Sequence, residues 1–283
     1  MGSSTANISR RLYEERKRFV QTVLQMGVPL VDADYNDAQE SFYTQIRRSV
    51  QAALGDGALG DAFKVVELRR GGALVPNGFA LKGGFHPRTG PERLWVAGHG
   101  AALFEDVEWL SSPEVSPVST GLTECELFDS AAFYEPDALV GRTLVPDVAH
   151  PDRTYEIVGN TRNSIKVAET NHLVGDGARA GAHYRVALTT PAADRVDIVY
   201  VDAYLDEIDG REDPDLLHTF STKIEAMRRL RLVQAVFVAE GTAPPLPPHP
   251  ADPLVDADGI EHFILPIAEI RREAGNPHIE ARM

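Results

Sequence analysis

Apolar side chains recur at every fourth position between residues 38 and 54. They are Ala38, Phe42, Ile46, Val50 and Leu54, and polar side chains fill most of the positions between them. Because residues four apart lie on the same side of an α-helix, this spacing predicts a helix with one apolar face. The glycines of GDGALGD, which begins at residue 55, predict its end.

The preceding segment, NISRRLYEERKRFVQTVLQM, carries a less complete apolar stripe over residues 7–26. Its apolar positions are Leu12, Phe19, Val20, Val23 and Leu24. Gly27 and Pro29 separate the two patterns, so residues 1–60 predict a helix, a turn and a second helix. Two helices with one apolar side each form little core of their own. Residues 1–60 are therefore predicted to be a docking or oligomerisation module, with the stripe from Ala38 to Leu54 as its interface.

The predicted turn between the two helices is acidic. Asp32, Asp34 and Asn36 match the first, third and fifth ligand positions of an EF-hand calcium loop. The position that requires glycine is Asp37, and the position that requires a bidentate glutamate is Tyr43, so the spacing disfavours calcium. The three aspartates and the asparagine are predicted instead to cap the following helix and fix the turn. Their oxygens accept hydrogen bonds from free helical N–H groups, and their charge suits the positive helix end.

From residue 61 onward, short runs rich in β-branched and aromatic residues are divided by glycine, proline and aspartate. This pattern predicts strands, and the lack of regular strand–helix alternation predicts that they are antiparallel. The run from Val196 to Leu205 is predicted to be a central strand, and HFILPIAEI is a candidate for a last strand returning to the sheet. The predicted fold class is α+β: the helix–turn–helix module, a mainly antiparallel β domain over residues 61–240, and a proline-rich linker with a C-terminal segment over residues 241–283.

Charge and composition narrow the range of partners. The formal net charge of −14 argues against nucleic acid, because binding phosphates requires a basic face. A single cysteine, Cys125, rules out an internal disulfide and a zinc site with several thiolates. The sequence has no apolar stretch of about 18 residues and no signal-peptide pattern. The chain is therefore predicted to be made in the cytoplasm and not to insert into a membrane.

Motifs that carry known chemistry are missing from the sequence. It contains no GxSxG, HExxH or GxxxxGK[ST] segment. His99 lies upstream of Glu105, Asp106 and Glu108, and either a base or ligand site or a plain β-turn with an edge strand explains that grouping. The acidic segment YLDEIDGREDPD fits a solvated loop better than a cation site. The sequence thus predicts a protein that is not an enzyme and has no cofactor or metal.

Four segments of the chain resemble a family found in phage tails and phage-tail-like contractile injection systems. Members begin with a segment of the type R-x-L-x-x-Q-G-x-x-L-x-D-A-D-x-N-E-x-Q. The matching residues here are Gly27, Leu30, Asp32, Ala33, Asp34, Asn36 and Gln39, with Asp37 where glutamate is commoner. YEIVGNTRNSIKVAE is similar to a strand pair of baseplate and fibre-associated proteins, through Tyr155, Ile157, Asn160, Thr161, Ile165 and Val167. RVDIVYVDAYLDEIDGREDPDL and RRLRLVQAVFVAEG are similar to further family segments, with Tyr204 replacing tryptophan, Asp206 replacing arginine and Ala235 following Gln234.

The resemblance implies a non-enzymatic structural component at the baseplate or at a fibre or spike attachment. Its expected partners are copies of itself, as a trimer, and neighbouring tail or baseplate proteins in an assembled particle. One alternative is a receptor- or carbohydrate-binding module of a tail fibre, for which Trp95, Trp109 and Tyr134 are candidate stacking residues. A cell-envelope hydrolase with a dispersed site is the other alternative.

Overall fold

The computed structural model describes most of the chain after residue 30. The described residues are 31–58, 60–109, 117–130, 132, 134, 136–137, 139–150, 152–210, 216, 228–247, 252–256 and 259–280. They contain one α-helix, α1 (Asp32–Leu54), and seventeen strands. The strands are β1 (Gly57–Ala58), β2 (Val65–Arg70), β3 (Ala73–Leu81), β4 (Phe85–His86), β5 (Gly90–Val96), β6 (His99–Leu103), β7 (Val107–Glu108), β8 (Gly121–Leu122), β9 (Glu126–Phe128), β10 (Thr143–Val145), β11 (Tyr155–Asn160), β12 (Ser164–Val167), β13 (Arg185–Ala187), β14 (Arg195–Ile208), β15 (Arg229–Glu240), β16 (Leu254–Val255) and β17 (Glu261–Arg272).

The prediction of an α+β fold with an N-terminal helix–turn–helix module is wrong. The described part of the chain has one helix and about 44% strand in several antiparallel sheets, so the protein is mostly β. The first predicted helix, over residues 7–26, and the turn residues Gly27 and Pro29 lie outside the described residues. The acidic segment from Asp32 to Asp37 is not a turn, because it forms the beginning of α1. Carboxylates are favourable both in a turn before a helix and in the first turn of the helix itself. The same acidic sequence pattern is therefore compatible with either structure.

The strands form four antiparallel sheets. One contains β15-β14-β17-β16 in that order, a second contains β1-β5-β4 with β6 paired to β5, and a third contains β2-β3-β7. The fourth has the order β13-β10-β11-β12-β9-β8. The predicted central strand is confirmed, since β14 pairs with β15 on one side and with β17 on the other. The predicted return of HFILPIAEI to the sheet is confirmed by the same pairing.

Two hydrophobic cores support this arrangement. The first core lies among the three sheets built from residues 57–109 and 188–280, and its fully buried residues include Phe79, Ala101, Val199, Val201 and Ala203. The second core lies within the six-stranded sheet of residues 121–187, and its residues include Leu127, Leu144, Ile157, Ile165 and Tyr184. Alternate residues of β14 point into the first core, as expected for a strand with one buried face.

Polar side chains tie the sheets together. Gln234 on β15 accepts a hydrogen bond from the backbone N–H of Ala102 at 2.7 Å and donates one to its carbonyl at 2.6 Å, so its amide satisfies both groups on β6. The Trp109 indole donates to the Val236 carbonyl at 2.8 Å. Between the two cores, Arg185 contacts Glu108 at 3.4 Å. These contacts hold β6, and therefore the β5–β6 turn, in a fixed position beside β15.

Candidate functional site

Helix α1 turns its apolar stripe away from the body of the protein. We call the residues Ala38, Phe42, Ile46, Val50 and Leu54 the outward face. Phe42 is 65% exposed, Ile46 is 47% exposed and Leu54 is 49% exposed, while Ala38 and Val50 are half-buried. The most buried residues of α1 are Ala33, Ser41 and Thr44. The helix therefore packs on the sheets through its small and polar side and presents its large apolar side chains outward, the reverse of an ordinary surface helix.

The body holds α1 through a group that we call the helix seat, made of Ala97, Gly98, His99 and Phe263. His99 is only 3% exposed. Its Nδ1 lies 2.8 Å from the Tyr43 hydroxyl, and its Nε2 lies 3.2 Å from an Arg47 nitrogen. The Arg47 guanidinium carbon also lies 5.5 Å from the centre of the Phe263 ring, within the range of a cation–π interaction. The buried imidazole of His99 thus contacts side chains from two consecutive turns of the helix.

The partners of His99 determine where its proton lies. A guanidinium can only donate, so Nε2 accepts the hydrogen bond from Arg47 and carries no proton. The ring proton is therefore on Nδ1 and is donated to the Tyr43 hydroxyl. Burial and, to a smaller extent, the Arg47 charge lower the pKa of His99 to about 4, while Glu261 partly opposes the shift. At neutral pH the seat therefore holds an uncharged imidazole, which suits both of its neighbours on α1.

The turn between β5 and β6 has a shape that fits the helix backbone. Ala97 and Gly98 have φ values of 49° and 80°, the combination of a type I′ hairpin turn. A Cβ at Gly98 would collide with the carbonyl oxygen of Arg47, so glycine is needed for the close approach of α1 as well as for the φ angle. The Asp56 carboxylate, just after α1, accepts a hydrogen bond from the Ala97 N–H at 2.7 Å. The seat therefore fixes the C-terminal half of α1 at several points.

The acidic residues predicted as caps occupy the first two turns of α1. The N-cap residue is Val31, in an extended conformation and without a side-chain capping hydrogen bond. Asp32 and Asp34 lie in the first turn, where their negative charge interacts favourably with the positive end of the helix dipole. Asn36 and Asp37 follow within the helix. The structure therefore gives the aspartates of the first turn a favourable electrostatic position at the helix start, and capping by these side chains stays a prediction.

Two of the three aromatic residues proposed for carbohydrate stacking are buried, and the third is half-buried. Trp109 is buried and stacks on Phe79 with ring centres 5.0 Å apart. Tyr134 is buried, its hydroxyl lies 2.6 Å from that of Tyr184, and burial raises its pKa to about 12. Trp95 is half-buried on β5. Tyr134 and Trp109 are core residues, and composition alone could not distinguish them from exposed platform residues.

Outside the seat, His262 on β17 lies between two carboxylates. His262 Nδ1 lies 2.8 Å from Asp202 Oδ2, and its Nε2 lies 3.6 Å from Asp256 Oδ2. The hydrogen bond to Asp202 raises the pKa of His262 above its usual value.

Among the residues that the structure describes, no group of three or more His, Cys, Asp or Glu is placed to hold a metal ion. No helix in the same residues is long and apolar enough to cross a membrane.

Comparison of the chain with protein-family models, curated proteins and solved structures found no match. The candidate site therefore rests on the geometry of α1 and its seat. Sequence spacing identified the outward face but not the direction in which it points. The carboxylates downstream of His99 draw attention to it in the sequence, but its contacts with Tyr43 and Arg47, 56 and 52 residues away, have no signal in the sequence.

Proposed function

We propose that this protein is a non-enzymatic structural component of a phage tail or phage-tail-like contractile injection system, attached to its neighbours through the outward face of α1. The observation that carries the proposal is the reversed polarity of α1, which buries Ser41 and Thr44 and exposes Phe42 and Ile46. Large apolar side chains grouped on one exposed helix face are typical of a protein interface. An attachment role at a baseplate, fibre or spike makes use of such a face.

The rigidity of the seat supports an attachment role. The seat binds α1 through Tyr43, Arg47 and the backbone contact at Gly98 before any partner arrives. A face that is already fixed in its bound orientation loses less conformational entropy when it docks. The seat thus gives α1 the properties of a fixed connector.

The positions of the resemblance motifs also support a structural role. In the β11–β12 motif, Ile157, Ile165 and Val167 are buried in the second core. Asn160 accepts a hydrogen bond from the Leu139 N–H at 2.9 Å and donates one to the Thr161 carbonyl at 3.1 Å. These residues therefore build the fold of the second core and hold its loops, which is what a connector requires of them.

Incorporation into particles tests the proposal. Full-length protein carrying Ile46→Glu would be expressed in a strain whose particles lack the wild-type subunit, and purified particles would be probed for it. Burying an unpaired carboxylate costs several kcal/mol, so incorporation should fall by about tenfold or more. The matched control is Ala52→Glu, an exposed α1 position about 120° around the helix from Ile46. Incorporation of Ile46→Glu at the wild-type level would contradict the proposal.

A further inference from the structure

We propose that the two cores belong to two domains that move relative to each other, and that two ion pairs, Arg142 with Glu240 and Arg185 with Glu108, form a releasable clasp between them. The clasp shares no residue with α1 or the helix seat, so this movement goes beyond the proposed attachment role. Three features of the fold carry it: the separation of the two cores, the charged contacts that join them, and the way in which one of the two glutamates is held.

Each core is completed within its own part of the chain. The second core takes its buried residues from the range 127–186, and the first core takes its buried residues from the ranges 62–109 and 188–279. Among the described strands, the six that build the second core pair only with one another. We call residues 117–187 the second domain, which is inserted into the first. Domains with separate cores are expected to move relative to each other unless a large apolar interface joins them.

Each pair of the clasp joins an arginine of the second domain to a glutamate of the first. Arg142 Nε lies 3.0 Å from Glu240 Oε1, and Arg185 Nη1 lies 3.4 Å from Glu108 Oε1. The Arg142 side chain is 18% exposed and that of Arg185 is 4% exposed. A Cβ on residue 78 would lie 2.2 Å from Arg185 Nη1, so Gly78 leaves the space that this guanidinium occupies. Both pairs are thus shielded from solvent, where opposite charges attract more strongly than on an exposed surface.

The chain returns from the second domain to the first beside the clasp. Leu188 is fully buried in the first core, and its N–H donates to the Asn77 carbonyl at 3.2 Å. The Thr189 N–H donates to Glu240 at 3.0 Å, and the Asn77 side chain donates to the Thr190 hydroxyl at 2.8 Å. Residues 188–190 are therefore fixed to the first domain, and the second domain turns about the connection just before Leu188.

The first domain holds Glu240 in place independently of Arg142. Glu240 Oε2 accepts hydrogen bonds from the Thr189 N–H and from the Arg195 guanidinium, while Oε1 faces Arg142. Removing one partner of a buried ion pair is costly when the remaining charge is left uncompensated. Here Glu240 keeps a cationic partner when Arg142 withdraws, so this half of the clasp opens without leaving a buried carboxylate unpaired.

Distances between spin labels on the two domains test the clasp in the full-length chain. In a Cys125→Ser background, Val174→Cys and Val255→Cys place one label on each domain, at exposed positions. This parent protein should give a single narrow distribution of label distances. Adding Arg142→Met and Arg185→Met together should cause the loss of that narrow distribution, because the second domain is then free to turn.

The matched control for this clasp variant is Arg228→Met in the same labelled background. Arg228 lies 3.0 Å from Glu207 in an ion pair of similar burial, and both residues belong to the first domain. This control should keep the narrow distribution. A clasp variant with the parent distribution would overturn the proposal. An equally broad distribution in the control would also overturn it, because the effect would then follow from the loss of any such ion pair.

Hydrogen exchange of the clasp variant separates domain movement from unfolding. The amides of β11 and β12 belong to the sheet of the second core, and they should exchange as slowly as in the wild type. Fast exchange throughout these strands would show that the two arginines are required to fold the second domain. That result would overturn the proposal whatever the label distances, since a clasp joins domains that are each folded.

Discussion

The geometry of the helix seat predicts that acid destabilises the protein. His99 is buried, and its Nε2 accepts a hydrogen bond from Arg47, so protonation would remove that acceptor and place a cation beside the guanidinium. The pKa of His99 is lowered to about 4 in the folded protein, mainly by burial. In the unfolded chain a histidine has a pKa of about 6.5. The unfolded state therefore binds this proton more readily, and acid favours unfolding or release of α1.

The magnitude follows from the difference between the two pKa values. Because the pKa of His99 is lower in the folded protein than in the unfolded chain, the contribution of this residue to the free energy of unfolding is fully present above the unfolded-state pKa of about 6.5. The contribution is lost as the pH falls toward the folded-state pKa of about 4. Linkage gives a loss of about 1 kcal/mol at about pH 5.5 and about 3 kcal/mol at about pH 4, relative to about pH 7.5. Against a typical domain stability of about 5–15 kcal/mol, the loss at the lower pH is large enough to measure.

Urea unfolding of the wild type and His99→Gln at these pH values measures the effect. Glutamine can accept from Arg47 and donate to Tyr43 but takes up no proton, so the difference in unfolding free energy between the two proteins isolates His99. Other groups titrate equally in both, including His262, whose raised pKa acts in the opposite direction. A difference that stays constant from about pH 7.5 to about pH 4 would refute the reasoning, as would an NMR titration midpoint of His99 near its ordinary value of about 6.5.

Two other substitutions test the support of the helix seat. Gly98→Ala should lower the melting temperature more than Gly90→Ala, because both glycines have a φ near 80° but only a Cβ at Gly98 meets the Arg47 carbonyl; equal shifts would show that the backbone contact is unimportant. Gln234→Leu should lower the free energy of unfolding by about 2 kcal/mol or more in urea denaturation, because Ala102 loses both of its amide partners, whereas a neutral result would mean that water replaces them.

The sequence pattern predicts the β part of the fold well because alternation and turn residues are local signals. The runs of β-branched and aromatic residues after residue 61 predict strands, and one of these runs, YEIVGN, is β11, Tyr155–Asn160. The predicted central strand around Val201 is β14. The helix–turn–helix prediction failed at the segment from Asp32 to Asp37. Carboxylates stabilise both a turn before a helix and the first turn of that helix, and no residue between Val31 and Leu54 forces a boundary.

The candidate site could be predicted only in part. The spacing from Ala38 to Leu54 predicted a helix with one apolar face, but an apolar stripe ordinarily faces the core of its own domain. The direction here is set by contacts of high sequence separation, in which Tyr43 and Arg47 meet His99. Because these residues are polar and isolated in the sequence, no periodicity marks them as a packing surface.

The reversed polarity of α1 has an energetic consequence that links the seat to assembly. Burying one Phe, Ile or Leu side chain contributes about 1.5–3 kcal/mol, and Phe42, Ile46 and Leu54 are each about half exposed. The isolated protein therefore leaves roughly 3 kcal/mol of apolar burial unrealised on this face, and a partner that covered the face would recover it. That gain is available only while α1 stays on its seat with this face outward. Since the seat depends on a neutral His99, protonation of this buried imidazole would weaken both the attachment of the helix and any docking through its outward face.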